Sequence, residues 1–129
     1  MKNLALSGHA ILVVEDEPLI AIELRQSLES SGAYVFGATQ LPHALQLAGH
    51  PDISAAVLGY RLGQDYTTAI CSRLEQRDIP FMFYSRHDDV HQLWPNAMRV
   101  PKPANAHELI EAVKATFESS FAHAVSKAA

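Results

Sequence analysis

The segment Ser54-Ala55-Ala56-Val57-Leu58-Gly59-Tyr60-Arg61-Leu62-Gly63 decides the fold. Its first half, Ala55 to Leu58, is a short apolar run that reads as a strand covered on both faces. Its second half turns polar and glycine-bearing, which reads as a loop leaving the strand's carboxyl end. Strands buried on both faces belong to parallel sheets. In open parallel sheets, ligands and chemistry sit at the carboxyl edge. The residue at the centre of that edge is Gly59, which has no side chain.

Working outward, the same pattern recurs. Ala10-Ile11-Leu12-Val13-Val14 is an apolar run rich in β-branched residues, followed by the acidic Glu15-Asp16-Glu17. Pro18 suits the first turn of a helix, where its missing N–H costs nothing. Leu19, Ile20, Ile22, Leu24 and Leu28 then form a helical apolar stripe, stopped by Gly32. Ala33 to Ala38 is a second strand. Leu41-Pro42 opens a second helix with Leu45, Leu47 and Ala48 inward, and Gly49-His50-Pro51-Asp52 breaks it. Gly63-Gln64-Asp65 is a loop, and Tyr66 to Arg77 a third helix with Ala69, Ile70 and Leu74 inward and Cys71 at the core margin. Phe81-Met82-Phe83-Tyr84 is a fourth strand. Arg86 to Trp94 reads as a short polar helix ended by Pro95, and Ala97 to Val100 as a weak fifth strand. A last helix starts after Asn105, an N-cap with Glu108 three residues on. Leu109, Ile110, Val113 and Phe117 form its stripe, and residues 119–129 extend that helix or fray. The alternation calls for an α/β fold: a doubly wound, five-stranded parallel sheet in the order 2-1-3-4-5, with helices on both faces. One domain over 1–129, with its core at about 10–117, accounts for the chain.

The bulk numbers agree with this and exclude other classes. The chain has 129 residues, 48% hydrophobic and 19% charged, with a net charge of −4. That is long enough for a hydrophobic core without staples. A mildly acidic domain is a poor ligand for nucleic acid or anionic membrane. The single Cys71 forbids an internal disulfide and fits a reducing compartment. The amino-terminal residues lack the apolar core of a signal peptide, and no run is long enough to span a bilayer. The expected address is the cytoplasm.

Polar residues follow four of the strands: Glu15 and Asp16 after the first, Gly59 after the third, Ser85 after the fourth and Lys102-Pro103 after the fifth. Adjacent carboxylates make an oxygen-rich site suited to Mg²⁺. A hydroxyl and an ammonium nearby could hold a phosphoryl group. On these motifs, in this order, the chain resembles the receiver domain of two-component response regulators, from about Ala10 to Phe117. The resemblance implies the flavodoxin-like form of the fold. It implies Mg²⁺ ligation by Glu15, Asp16 and the backbone carbonyl of Arg61, and a phosphate contact and switch role for Ser85. It implies that Lys102 pairs with the phosphoacceptor aspartate and its phosphate. The phosphoacceptor position falls on Gly59.

Three departures stand out. Gly59 cannot form an acyl phosphate, because it offers no nucleophile, and it removes one ligand and one charge from any Mg²⁺ site, weakening it. Asp65, six residues on, would need a large rearrangement to replace it. Arg99 takes the place of the aromatic switch residue. The segment between Ser85 and Lys102 is several residues shorter than the family's. Together they imply a stand-alone receiver that acts without phosphorylation, as a protein–protein interaction module and not as an enzyme. Its partner would be a histidine kinase, a phosphotransfer protein or another regulator, with the domain itself a monomer or a homodimer. The alternative is a phosphorylatable receiver carrying an engineered or strain-specific loss of aspartate at position 59.

Each of these residues also has a plainer reading. Glu15 and Asp16 could be a solvated acidic turn. Lys102 could lie at the surface, although a bridge from Lys102 to Asp16 or Glu15 is the expectation. Ser85 could simply bond to nearby backbone, and Gly59 could serve an unusual backbone angle. His87 and His91, with Asp88 and Asp89 between them, have a spacing compatible with Zn²⁺, but a polar helix face is the expectation. Trp94 caps the short helix or marks a contact surface.

Overall fold

Ala10–Val14 (β1) is buried at every position, as a continuous β-branched run requires. The computed structural model describes residues 4–86 and 94–128, with side chains as far as residue 118. After β1 the chain runs through α1 (Pro18–Ser30), β2 (Tyr34–Ala38), α2 (Leu41–Leu47) and β3 (Ile53–Leu58). Then come β4 (Arg61–Leu62), β5 (Asp65–Tyr66), α3 (Thr68–Gln76), β6 (Phe81–Ser85), β7 (Met98–Pro101) and α4 (Ala106–Ala128). The main sheet has the order β2-β1-β3-β6-β7, all parallel. With the two hairpin strands set aside, this is the expected order 2-1-3-4-5.

Alternate residues of the central strands face opposite layers. Ile11, Val13, Ala55, Val57, Met82 and Tyr84 pack with α1 and α4, through Leu24, Leu28, Leu109 and Val113. Leu12, Val14, Ala56, Leu58, Phe81 and Phe83 pack with α2 and α3, through Ala44, Ala48, Ile70 and Leu74. The register sets Val14 beside Leu58, Leu58 beside Phe83 and Ser85 beside Pro101, so the strands end along one edge.

Several local expectations are corrected. The inner stripe of α1 is Leu24 and Leu28, with Ile20 partly buried. Leu19 and Ile22 face outward, Leu19 with 76% of its surface exposed. Residue type alone had placed them inside; the helix phase, fixed by Leu24 and Leu28 on the sheet, turns them out. In α2 the small Ala44 and Ala48 are fully covered, while Leu45 and Leu47 only flank the core. The expected loop at Gly63 to Asp65 is the turn of an antiparallel hairpin, β4–β5, with Arg61 opposite Tyr66. Gly63 takes a positive φ of 63° there, which a side chain would disfavour. The third helix therefore starts at Thr68 and not Tyr66, and Ala69 is exposed. Cys71 is completely buried, not marginal. Burial, with the nearby Glu75 charge adding to it, pushes its thiol up to about 12. The short polar helix expected after Arg86, with His87, Asp88, Asp89 and His91, lies outside the described residues. Trp94 is half-buried, packs against Phe81 and Phe83, and donates its indole N–H to Glu75 at 3.1 Å.

Asn105 caps α4 as expected, its Oδ1 accepting the Glu108 amide at 2.8 Å. Residues beyond 118 continue as helix to Ala128.

The corrected phase of α1 makes a direct prediction. Leu28→Ala should lose about 2–5 kcal/mol of stability, as large-to-small core changes do. Leu19→Ala should stay within about 0.5 kcal/mol of wild type. Urea midpoints at constant m-value measure both; equal losses would contradict the assigned face.

Candidate functional site at the carboxyl edge of the sheet

The register delivers Glu15, Gly59, Ser85 and Lys102 to neighbouring strand ends, and local chemistry then fixes each one. Glu15 continues β1, its amide bonded to the Ala38 carbonyl at 3.2 Å, and only 2% of the residue is exposed. A carboxylate this buried needs partners. Its Oε2 accepts the Glu17 amide at 3.0 Å. Its Oε1 is buried, lies 2.6 Å from the Lys102 ammonium and has that ion pair in place of a hydrogen bond. The two side chains are 6% and 2% exposed, Lys102 and Glu15 respectively, so the pair is a buried one.

Lys102 is held from several directions. Its amide donates to the Ser85 carbonyl at 3.3 Å, which ties it to the end of β6. Its Nζ lies 3.4 Å from Glu17 Oε1 and 5.6 Å from the centre of the Tyr84 ring. Tyr84 is itself fixed, its hydroxyl oxygen accepting the Ala104 amide at 3.0 Å. The same Glu17 Oε1 accepts from Arg86 Nη1 at 2.8 Å, across a more open pair whose side chains are 60% and 43% exposed. The bridge expected from Lys102 to an acidic neighbour is thus present, and the partner is Glu15.

Asp16 is exposed and has a different task. Its Oδ2 accepts the Gly63 amide at 2.6 Å and so pins the β4–β5 hairpin to the end of β1. Thr67, fully buried, anchors the other end of that loop. Its hydroxyl lies 2.7 Å from the Gly59 carbonyl and 3.1 Å from that of Tyr60, and its amide donates to Tyr60 at 3.0 Å. Arg61 stacks on Tyr66 at 4.9 Å and donates to its hydroxyl at 2.9 Å, closing the hairpin.

Gly59 lies directly after β3, its amide bonded to the Val14 carbonyl at 3.0 Å. Its φ is not positive, so no unusual backbone angle calls for glycine. Space does: a Cβ at this position would stand 3.2 Å from the Arg61 carbonyl oxygen and 3.7 Å from that of Val14. The first distance is tighter than ordinary contact, so a side chain here requires the Arg61 carbonyl to shift by a few tenths of an ångström. Ser85 is buried at the end of β6, and Arg99 is half-buried on β7 opposite Phe83. Asp65 is exposed in β5.

The sequence-derived residues therefore converge, but their partners differ from the resemblance's scheme. Glu17, Arg86 and Thr67 were missed. The available signals were a third acid in the run after β1 and a basic residue directly after Ser85.

Mg²⁺ needs several oxygen ligands in near-octahedral geometry. Here position 59 supplies no side-chain oxygen. Lys102 stands against Glu15 Oε1, and the Gly63 amide stands against Asp16 Oδ2. Among the described residues, no three His, Cys, Asp or Glu side chains are grouped to hold a metal. As arranged, the donors do not fit Mg²⁺.

Breaking a buried ion pair leaves an uncompensated charge, whereas exposed pairs contribute little. Lys102→Met should cost about 3–5 kcal/mol. Arg86→Ala should cost less than about 1 kcal/mol, shrinking further in high salt. Chemical denaturation at two ionic strengths reads both, and a Lys102→Met protein as stable as wild type would contradict the pairing.

Comparison with known proteins bears on the fold. No protein-family model and no curated protein matches the sequence. Solved structures do. A CheY-like response regulator receiver domain protein from Methanospirillum hungatei JF-1 superposes with a TM-score of 0.79 at 21% identity, covering 91% of this chain and 99% of that one. A response regulator receiver protein from Sinorhizobium medicae WSM419 gives 0.78 at 19% identity, covering 89% and 98%. SdrG from Sphingomonas melonis Fr1 gives 0.72 at 29% identity, covering 94% and 99%. The chain has the flavodoxin-like fold of response regulator receiver domains.

Proposed function

We propose that this chain is a receiver domain that works as a phosphorylation-independent protein–protein interaction module. One observation supports the reading: position 59, on which the resemblance places the phosphoacceptor, is a glycine, and Lys102 is paired with Glu15 at 2.6 Å. Phosphoryl transfer to a receiver is an acyl phosphate formation, and without a carboxylate nucleophile that step has no acceptor. Ser85 and Arg99, the equivalents of the switch residues, then have no phosphoryl group to report. What remains is the domain's surface. The partner is a signalling protein: a histidine kinase, a phosphotransfer protein or another regulator. No helix among the described residues is long and apolar enough to cross a membrane, and a cytoplasmic setting completes the proposal.

The crowding at Gly59 favours this reading over a recent, single-residue loss. An aspartate there would need the Arg61 carbonyl to shift by a few tenths of an ångström, and it would meet a lysine already paired with Glu15. Incubation with acetyl phosphate and Mg²⁺, followed by intact mass, tests both ideas. The wild-type chain should acquire no phosphoryl adduct, and a stable adduct would sink the reading. Gly59→Asp should also remain unmodified. A Gly59→Asp protein that is phosphorylated efficiently would favour the alternative, a working receiver that lost its aspartate.

A further inference from the structure

Glu17 and Arg86 have no part in the receiver resemblance, yet they complete the charge arrangement at the sheet edge. Glu15 and Glu17 face two cations of the chain itself. Lys102 Nζ lies 2.6 Å from Glu15 Oε1 and 3.4 Å from Glu17 Oε1. Arg86 Nη1 lies 2.8 Å from the same Glu17 oxygen. Glu17 Oε1 therefore links the two cations, and Arg86 and Lys102 are braced against each other through it. We propose that Lys102, braced by Arg86 through Glu17, is a built-in replacement for a divalent ion and keeps this acidic pocket closed to metal.

Two independent features support the replacement. The first is charge: an ammonium and a guanidinium together present the two positive charges that a single divalent ion would bring. The second is Glu15 Oε1, which is buried and has an ion pair in place of a hydrogen bond. An oxygen in that state depends on a cation for its compensation. For a metal to bind, the ammonium would have to leave Glu15, and a buried ammonium without its counter-charge is strongly disfavoured. Lys102 acts here as a positioning residue. The inference stands on this geometry and not on the proposed interaction role.

Mn²⁺ is a suitable probe, because its free-ion electron paramagnetic resonance signal falls as it binds. The wild-type chain should leave that signal unchanged up to about 1 mM Mn²⁺, a range in which sites with enough carboxylates bind. Lys102→Met should bind Mn²⁺ at least about tenfold more tightly, since removing a positive charge raises the net negative charge that sets affinity. Adding Glu17→Gln to Lys102→Met should reverse the gain, and Lys102→Arg, which keeps the charge, should stay closed. Because Lys102→Met removes a buried charge and could unfold the chain, Arg86→Ala at an exposed site is the companion variant. It should bind Mn²⁺ a few-fold more tightly than wild type. Wild-type binding as tight as that of the variants overturns the proposal, and so does an Arg86→Ala protein that binds no more tightly than wild type.

Discussion

A lysine and a glutamate lie against each other at the carboxyl edge of the sheet, nearly out of water, and the arrangement around them follows from that. Taking two charges from solvent is costly unless they meet in good geometry with their remaining polar atoms satisfied. Glu15 meets part of that demand through the Glu17 amide, and Lys102 through Glu17 Oε1 and the face of Tyr84. The pairing in turn needs the sheet. Glu15 reaches the site because β1 lies beside the central β3, and Lys102 because β7 is in register with β6, Ser85 beside Pro101. With position 59 empty of side chain, Glu15 is the carboxylate nearest to hand for this lysine. Glu15, Glu17, Lys102 and Arg86 thereby form one linked charge cluster at the sheet edge.

The hairpin β4–β5 is the second consequence. With no carboxylate on Gly59, the Arg61 carbonyl can approach the backbone closely. Asp16 holds the far side of the hairpin through the Gly63 amide, and Thr67 holds the near side through the Gly59 and Tyr60 carbonyls. Asp16 and Thr67 thus both tie this loop in place. The loop and the ion pair are linked by chain continuity, because Glu15 and Asp16 are adjacent.

The strands, their order and the meeting of Glu15, Gly59, Ser85 and Lys102 were legible in the sequence. Strands buried on both faces must be apolar throughout, and Ala10 to Val14, Ala55 to Leu58 and Phe81 to Tyr84 declare themselves in that way. The phase of α1 was not legible, because Leu19 and Ile22 are as apolar as Leu24 and Leu28, and only packing against the sheet distinguishes them. The hairpin was not legible either: two strands of two residues are too short to show a period, and only Gly63 marks the turn. Nor was the Arg86–Glu17 link, which joins residues far apart in the chain and depends on the register of three strands. The site residues could thus be named from motifs, while their actual partners required the fold.

The most direct measurement of the central claim is a double-mutant cycle between Glu15 and Lys102, with Glu15→Gln, Lys102→Met and the double variant followed by urea unfolding. Residues in direct charged contact show coupling on the order of 0.5–3 kcal/mol. The account predicts coupling of about 2 kcal/mol or more, with the double variant more stable than either single change would suggest. Additive effects, with coupling below about 0.5 kcal/mol, would contradict it.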